Sequence, residues 1–178
     1  MEQFAESGYR ASSLRDIAAR AGMTHPGVLY HFPKKEVLLM AVLARRDEEG
    51  RENRPVLGEL GREALRSMAA AAAHNETQRA MVELYATLSA EATTPDHPAH
   101  EFFRTRYQHL FARLTEAYAV TRDSGELRDG IDPEDAAAHL IALMDGLQVQ
   151  WLMGTLSRPM AEVVTAHLNT QLVRPLEQ

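Results

Sequence analysis

No cysteine occurs among the 178 residues, so neither a disulfide framework nor a thiolate metal site is open to this chain. No apolar run approaches the roughly eighteen residues that would span a bilayer, and no charged start followed by an apolar stretch reads as a secretory signal. Runs of alternating β-branched residues are missing too, as are internal repeats and low-complexity linkers, which removes the signals of sheets and solenoids. The common catalytic signatures are also lacking: there is no G-x-S-x-G, no phosphate loop, no H-E-x-x-H and no dinucleotide fingerprint. These absences predict an all-α protein that is not an enzyme and needs no cofactor, with the cytoplasm as the default compartment.

What is present suits a globular chain of one or two domains, with 45% hydrophobic and 25% charged residues and enough length to bury a substantial core. The net charge of −6 is unevenly spread. Residues 1–46 hold seven Lys/Arg against four acids, a balance of +3, so the remainder carries −9. A small basic head on an acidic body is the pattern expected when only the head meets phosphates.

Within that head, Ser12 to Glu36 reads SSLRDIAARAGMTHPGVLYHFPKKE, which predicts two short helices joined by a glycine turn. Ser12 or Ser13 can cap the first, and Asp16 lies three residues after Ser13 as in a capping box. Leu14, Ile17, Ala18 and Ala21 mark one apolar face. Gly22 tolerates the left-handed backbone of a sharp helix exit, Thr24 can cap the next helix, and Pro26 falls in its first turn. Val28, Leu29 and Phe32 supply the inward face, leaving Thr24, His25, Gly27, Tyr30 and His31 on the other. A small polar N-terminus with aromatic and imidazole groups behind it suits a recognition helix in the major groove. Lys34 and Lys35 open the following helix against its macrodipole, a choice that a phosphate backbone would offset. Two short amphipathic helices around a glycine occur in many helical proteins, so the pattern alone is a weak signal.

The longer motifs narrow it. Phe4-Ala5-Glu6-Ser7-Gly8-Tyr9, then Ile17-Ala18-Ala19-Arg20-Ala21-Gly22, then Leu29-Tyr30-His31-Phe32-Pro33-Lys34-Lys35-Glu36 resemble the N-terminal domain of TetR-family transcriptional regulators. The resemblance covers about the first forty-five residues. Fewer residues precede Phe4 than family members carry, which reads as a shortened first helix. The resemblance implies a three-helix DNA-binding domain over 1–46 and a helical effector-binding and dimerisation domain over 47–178, about nine helices in all. It implies a ligand-responsive regulator, most simply a repressor, that binds a palindromic double-stranded operator as a dimer and is released by a small molecule. Arg15, Thr24, His25 and Gly27 are expected near base edges or the adjoining backbone, and Tyr30, His31, Lys34 and Lys35 on phosphates. A helical small-molecule-binding or interaction protein without operator binding is the alternative.

Further helices are predicted over 34–52, with Pro55 and Gly58 interrupting after it, and over Leu60–Ala73, Thr77–Ala92 and Pro98–Arg122. Asp132-Pro133-Glu134-Asp135 combines a cap, a proline at the first helical position and acids in the first turn, opening a helix to about Met153. A last one spans Pro159–Val173. Ala137, Leu140, Ile141, Met144, Leu147, Trp151 and Leu152 form a stripe wide enough for its own core and a second surface. Gly146 within that helix suggests close approach of a neighbouring helix. The resemblance implies a homodimer through 133–154 and 159–174 and a small-molecule pocket in the body, and the aromatic and Met bias of the residues that could line it favours a hydrophobic or aromatic effector. Candidate lining residues are Met81, Tyr85, Leu88, Phe103, Tyr107, Phe111, Met144, Leu147, Gln148 and Trp151, although such residues at helical spacing are more often core. No Arg or Lys in these helices is plainly placed inward, which speaks against a phosphorylated effector. Asp96, His97, His100 and Glu101 read as solvated loop residues rather than metal ligands, and His74, His109, His139 and His167 as scattered single residues.

Overall fold

The computed structural model describes residues 2–52 and 60–176, and among them are nine helices and a single isolated antiparallel bridge between Leu127 and Leu172. The helices are α1 (Glu2–Ala11), α2 (Leu14–Arg20), α3 (His25–His31), α4 (Lys35–Glu52), α5 (Arg62–Glu76), α6 (Arg79–Glu91), α7 (His100–Asp123), α8 (Pro133–Leu152) and α9 (Met160–Gln171). The interruption expected at Pro55 and Gly58 lies outside the described residues.

The starts follow local chemistry. Ser13 caps α2 by accepting the Asp16 N–H, and Thr24 caps α3 by accepting the Gly27 N–H. The Asp132 carboxylate accepts the N–H groups of Glu134 and Asp135 at the head of α8. These bonds satisfy donors that a helix N-terminus otherwise leaves open. Thr77 behaves differently from its expected role at the start of the next helix: its hydroxyl donates 2.8 Å to the His74 carbonyl and closes α5. The next helix therefore begins two residues later, at Arg79.

The described residues fall into two compact units, 2–52 with 80–104 and 60–79 with 105–176. The first unit is thus more than the N-terminal segment. Its buried residues include Phe4, Tyr9, Val28, Leu39 and Leu43 from the N-terminal helices and Leu84, Leu88 and Phe103 from 80–104. In the second unit Leu65, Leu114, Tyr118, Leu140, Leu147 and Leu168 belong to one core, with Met144 inside it and Ile141 and Trp151 against it. The Tyr118 hydroxyl donates to Gln171 Oε1 at 2.7 Å, both groups buried, and burial pushes the Tyr118 phenol well above its ordinary range.

Three expectations of local packing change. Ala21 is exposed, because α2 has ended and the chain is already turning there. Leu29, assigned inward, is 37% exposed, since only Val28 of this short helix reaches the core. Among the described residues nothing lies within 4 Å of a methyl group placed on Gly146, so no described helix of this chain makes the close approach expected there.

Candidate nucleic-acid interface and effector residues

Between α2 and α3 the chain turns on Gly22 at φ +67. The Met23 N–H donates to the Ala18 carbonyl at 2.9 Å and the Gly22 N–H to Ala19 at 3.2 Å, the two bonds of a helix-ending glycine motif. The turn leaves α3 with little of its surface covered. Thr24, His25 and His31 are exposed, and Tyr30 is 85% exposed with its ring edge-on to His31 at 5.1 Å. The Thr24 hydroxyl is held by its capping bond, and a methyl on Gly27 would crowd its oxygen at 3.1 Å. Arg15 on α2 and Lys34 before α4 are exposed on the same unit. A tyrosine so exposed is not explained by the fold of the head.

Lys35 is placed otherwise. Its ammonium donates to the carbonyls of Tyr9 and Ser12 at 2.7 Å and of Arg10 at 3.3 Å, and lies 4.3 Å from the centre of the Tyr9 ring. An ammonium has three donors, and here all three have acceptors within the chain. The cation that seemed to need a phosphate at the head of α4 instead neutralises the carbonyl end of α1. Arg20 is likewise engaged, in a two-pronged pair with Glu6 at 2.5 and 2.7 Å, which holds the Glu6 carboxyl below its usual range.

The ten candidate effector residues divide between the units. Met81, Leu88 and Phe103 are buried in the first, and the half-buried Tyr85 meets Phe103 edge-on at 5.6 Å. In the second, Met144 and Leu147 belong to the core, Gln148 is half-buried and Phe111 is 37% exposed. The Trp151 ring carries the Arg79 guanidinium at 5.5 Å. The Tyr107 hydroxyl donates to Asp145 at 2.8 Å. Asp145 was not singled out in the sequence, where it is the one acid of α8 beyond its first turn. The residue as a whole is exposed, but partial desolvation of its carboxyl raises the pKa against the lowering effects of the Tyr107 bond and the nearby half-buried Arg106. Arg106 thus acts on an exposed carboxyl of α8 through its charge. An open hollow lined by Arg62, Arg66, Ser124, Glu126 and Arg174, among others, contains none of the ten.

The histidines also depart from expectation. His97 is buried, its side chain only 1% exposed, while Asp96 and Glu101 stay in solvent and His100 Nδ1 lies 2.8 Å from the Ala92 carbonyl. Among the described residues no trio of His, Asp and Glu converges as a metal site would. His167 and His139 are not independent: burial lowers the His167 pKa and the neighbouring His139 lowers it further.

Two family models match this chain. The one described as bacterial regulatory proteins, tetR family, matches residues 1–42, and the one described as BetI-type transcriptional repressor, C-terminal, matches residues 61–174. No curated protein matches. Among solved structures, a transcriptional regulator from Saccharomonospora viridis in complex with choline is 22% identical, covering 97% of this chain and 93% of that one with a TM-score of 0.76. AibR, solved with isovaleryl coenzyme A and operator DNA, is 19% identical over 97% and 93% with a TM-score of 0.73. A TetR-family regulator from Rhodococcus sp. is 22% identical over 95% and 92% with a TM-score of 0.72. At these identities the structures share the fold, and the two family models together span nearly the whole of it. The chain belongs to the TetR family of bacterial regulatory proteins, with a C-terminal part of the BetI-type repressor kind.

Proposed function

We propose that this protein is a ligand-responsive transcriptional repressor, working in the cytoplasm without catalysing a reaction. As a homodimer it holds a palindromic operator, and it lets go when a small effector enters the body. The observation that carries this reading is the exposed face of α3, with Tyr30 85% in solvent, on a chain matched by regulator models at both ends. Residues 1–46 supply the reading head, with Arg15, Thr24, His25 and Gly27 at base edges or the adjoining backbone. Tyr30, His31 and Lys34 contact phosphates. Lys35 contributes from inside, by fixing the end of α1.

Residues 47–178 supply effector binding and dimerisation. Support for the dimer comes from α8, where Ala138, Ala142, Gly146 and Val149 stand at helical spacing with Ala138, Ala142 and Val149 exposed and the Gly146 face empty. A two-fold pair of such chains places two reading helices about one DNA turn, roughly 34 Å, apart. For the effector, the choline and isovaleryl coenzyme A complexes of fold relatives show that chains of this fold take chemically different guests. The aromatic and Met bias among the ten candidates favours a hydrophobic or aromatic one here.

A gel shift with the DNA upstream of the protein's own gene tests the reading. A retarded band that a scrambled duplex cannot compete away is the expected result. Failure to shift any fragment while the protein still binds small molecules would support the alternative, a helical binding protein without an operator.

A further inference from the structure

The corner Tyr9–Ser13 leads from α1 into the helix-turn-helix, and two other elements grip it. Gly8 at φ +70 breaks α1, so the Tyr9 N–H opens a new short turn with no intrahelical acceptor. Glu91, the last residue of α6, accepts that N–H on Oε2 at 2.7 Å. At the other end of the same turn the Lys35 ammonium sits on the carbonyls of Tyr9, Arg10 and Ser12. An anion at the N–H end and a cation at the carbonyl end is the arrangement that peptide dipoles favour.

Behind Glu91 lies His97. Its ring is edge-on to Tyr9 at 5.1 Å, its Nδ1 accepts the Ala99 N–H at 3.2 Å, and its Nε2 stands 3.6 Å from the same Glu91 oxygen without a hydrogen bond. Thr87, one turn earlier on α6, reaches the Ala5 carbonyl at 3.4 Å. A methyl on Gly8 would displace the Glu91 carboxylate from its seat, and the φ of +70 itself favours glycine there.

We infer that Glu91 is a positioning residue for DNA reading: its carboxylate, seated on the Tyr9 N–H, sets the corner that orients α2 and α3, and movement of α6 therefore acts on the reading head. This rests on the proposed DNA-binding function. It gives the head an input from α6, one that works through a single charged hydrogen bond. A displacement of α6 by about 1 Å lengthens that bond beyond the range in which it holds.

The test uses the full-length chain and the tightest duplex that the unaltered protein selects from a random-sequence pool. Removal of an acid near DNA, taken alone, strengthens binding, so plain electrostatics predicts that Glu91→Ala and Glu91→Gln both bind as well or better. Positioning predicts a different order. Glu91→Ala weakens binding about tenfold, in line with loss of a hydrogen bond to a charged group, while Glu91→Gln, which keeps an acceptor, stays close to the unaltered protein. Amide exchange without DNA is the second readout: the Tyr9 amide exchanges faster in Glu91→Ala and remains protected in Glu91→Gln, with the α8 core amides unchanged in both as the check on folding. Equal or tighter binding by Glu91→Ala, or an unchanged Tyr9 amide, overturns the inference. If the unaltered protein selects no duplex, the DNA-binding function itself fails, and the amide exchange still decides separately whether Glu91 holds the corner.

Discussion

Lys34 and Lys35 are neighbours with opposite employment. Lys34 is exposed, whereas Lys35 spends its three donors on α1 carbonyls. Lys34→Ala is therefore expected to leave the melting temperature unchanged, to weaken binding similarly for all DNA sequences, and to reduce the salt slope by about one phosphate contact. Lys35→Ala should instead destabilise the head by about 1–3 kcal/mol, as loss of charge-assisted bonds does, with any loss of DNA affinity tracking the unfolding. Titrations at several salt concentrations beside thermal melts separate the two. His97 gives a pH dependence. Burial lowers its pKa below 6.5, with Arg10 adding and Glu91 and Asp96 opposing. The folded state thus favours the neutral ring, and its contribution to stability is full above about pH 6.5 and fades as pH falls through the depressed value. Protonated Nδ1 would also face the Ala99 N–H donor to donor. Denaturant unfolding between about pH 7.5 and 5 should show the loss, and His97→Gln should flatten it. The half-buried His167 acts in the same direction, so the difference between the two proteins is the quantity to read.

At the scale of the element, the sequence was legible wherever the chemistry is local. The caps at Ser13, Thr24 and Asp132, the Gly22 turn and the proline-led start of α8 each involve groups a few residues apart, and they stand where the spacing placed them. What stayed hidden spans long separations. Lys35 finds Tyr9 across 26 residues, Tyr107 finds Asp145 across 38, and Glu91 finds Tyr9 across 82. No periodicity encodes such meetings, so His97, which does lie in the loop between α6 and α7, reads as solvated although Tyr9 and Glu91 stand beside it. Gly146 belongs to the same lesson, since its spacing marked a close approach and no described helix of its own chain supplies one. A Gly146→Ala chain studied as a monomer should gain up to about 1 kcal/mol of helix stability, whereas dimerisation across α8 should weaken because the added methyl holds the second helix off. Sedimentation of both chains across a concentration series reads this directly, and an unchanged dimer constant would place the two-fold contact elsewhere on α8 or α9.

For the whole molecule, the apolar residues divide between a buried core and a remainder that the chain does not cover. Val149 is 42% and Met153 73% exposed on α8 and its C-terminal end, and Val173 just after α9 is 53% exposed. If these faces meet in a dimer, folding and association are linked, and the melting temperature should rise with protein concentration. A melting temperature independent of concentration over two decades would mean that the faces stay open to water. The charge distribution works at the same scale: with a +3 head and a −9 remainder, the proposed attraction for DNA is confined to one part of the chain.

The Lys35 contacts also have a chemical consequence. The chain has only two lysines, and the nitrogen of Lys35 is enclosed by three carbonyl oxygens. An amine-reactive reagent will therefore modify Lys34 in preference to Lys35. Acylation of Lys34 removes its charge, so a native chain treated in this way should keep its fold, held in part by Lys35, while its proposed affinity for DNA falls as it does in Lys34→Ala.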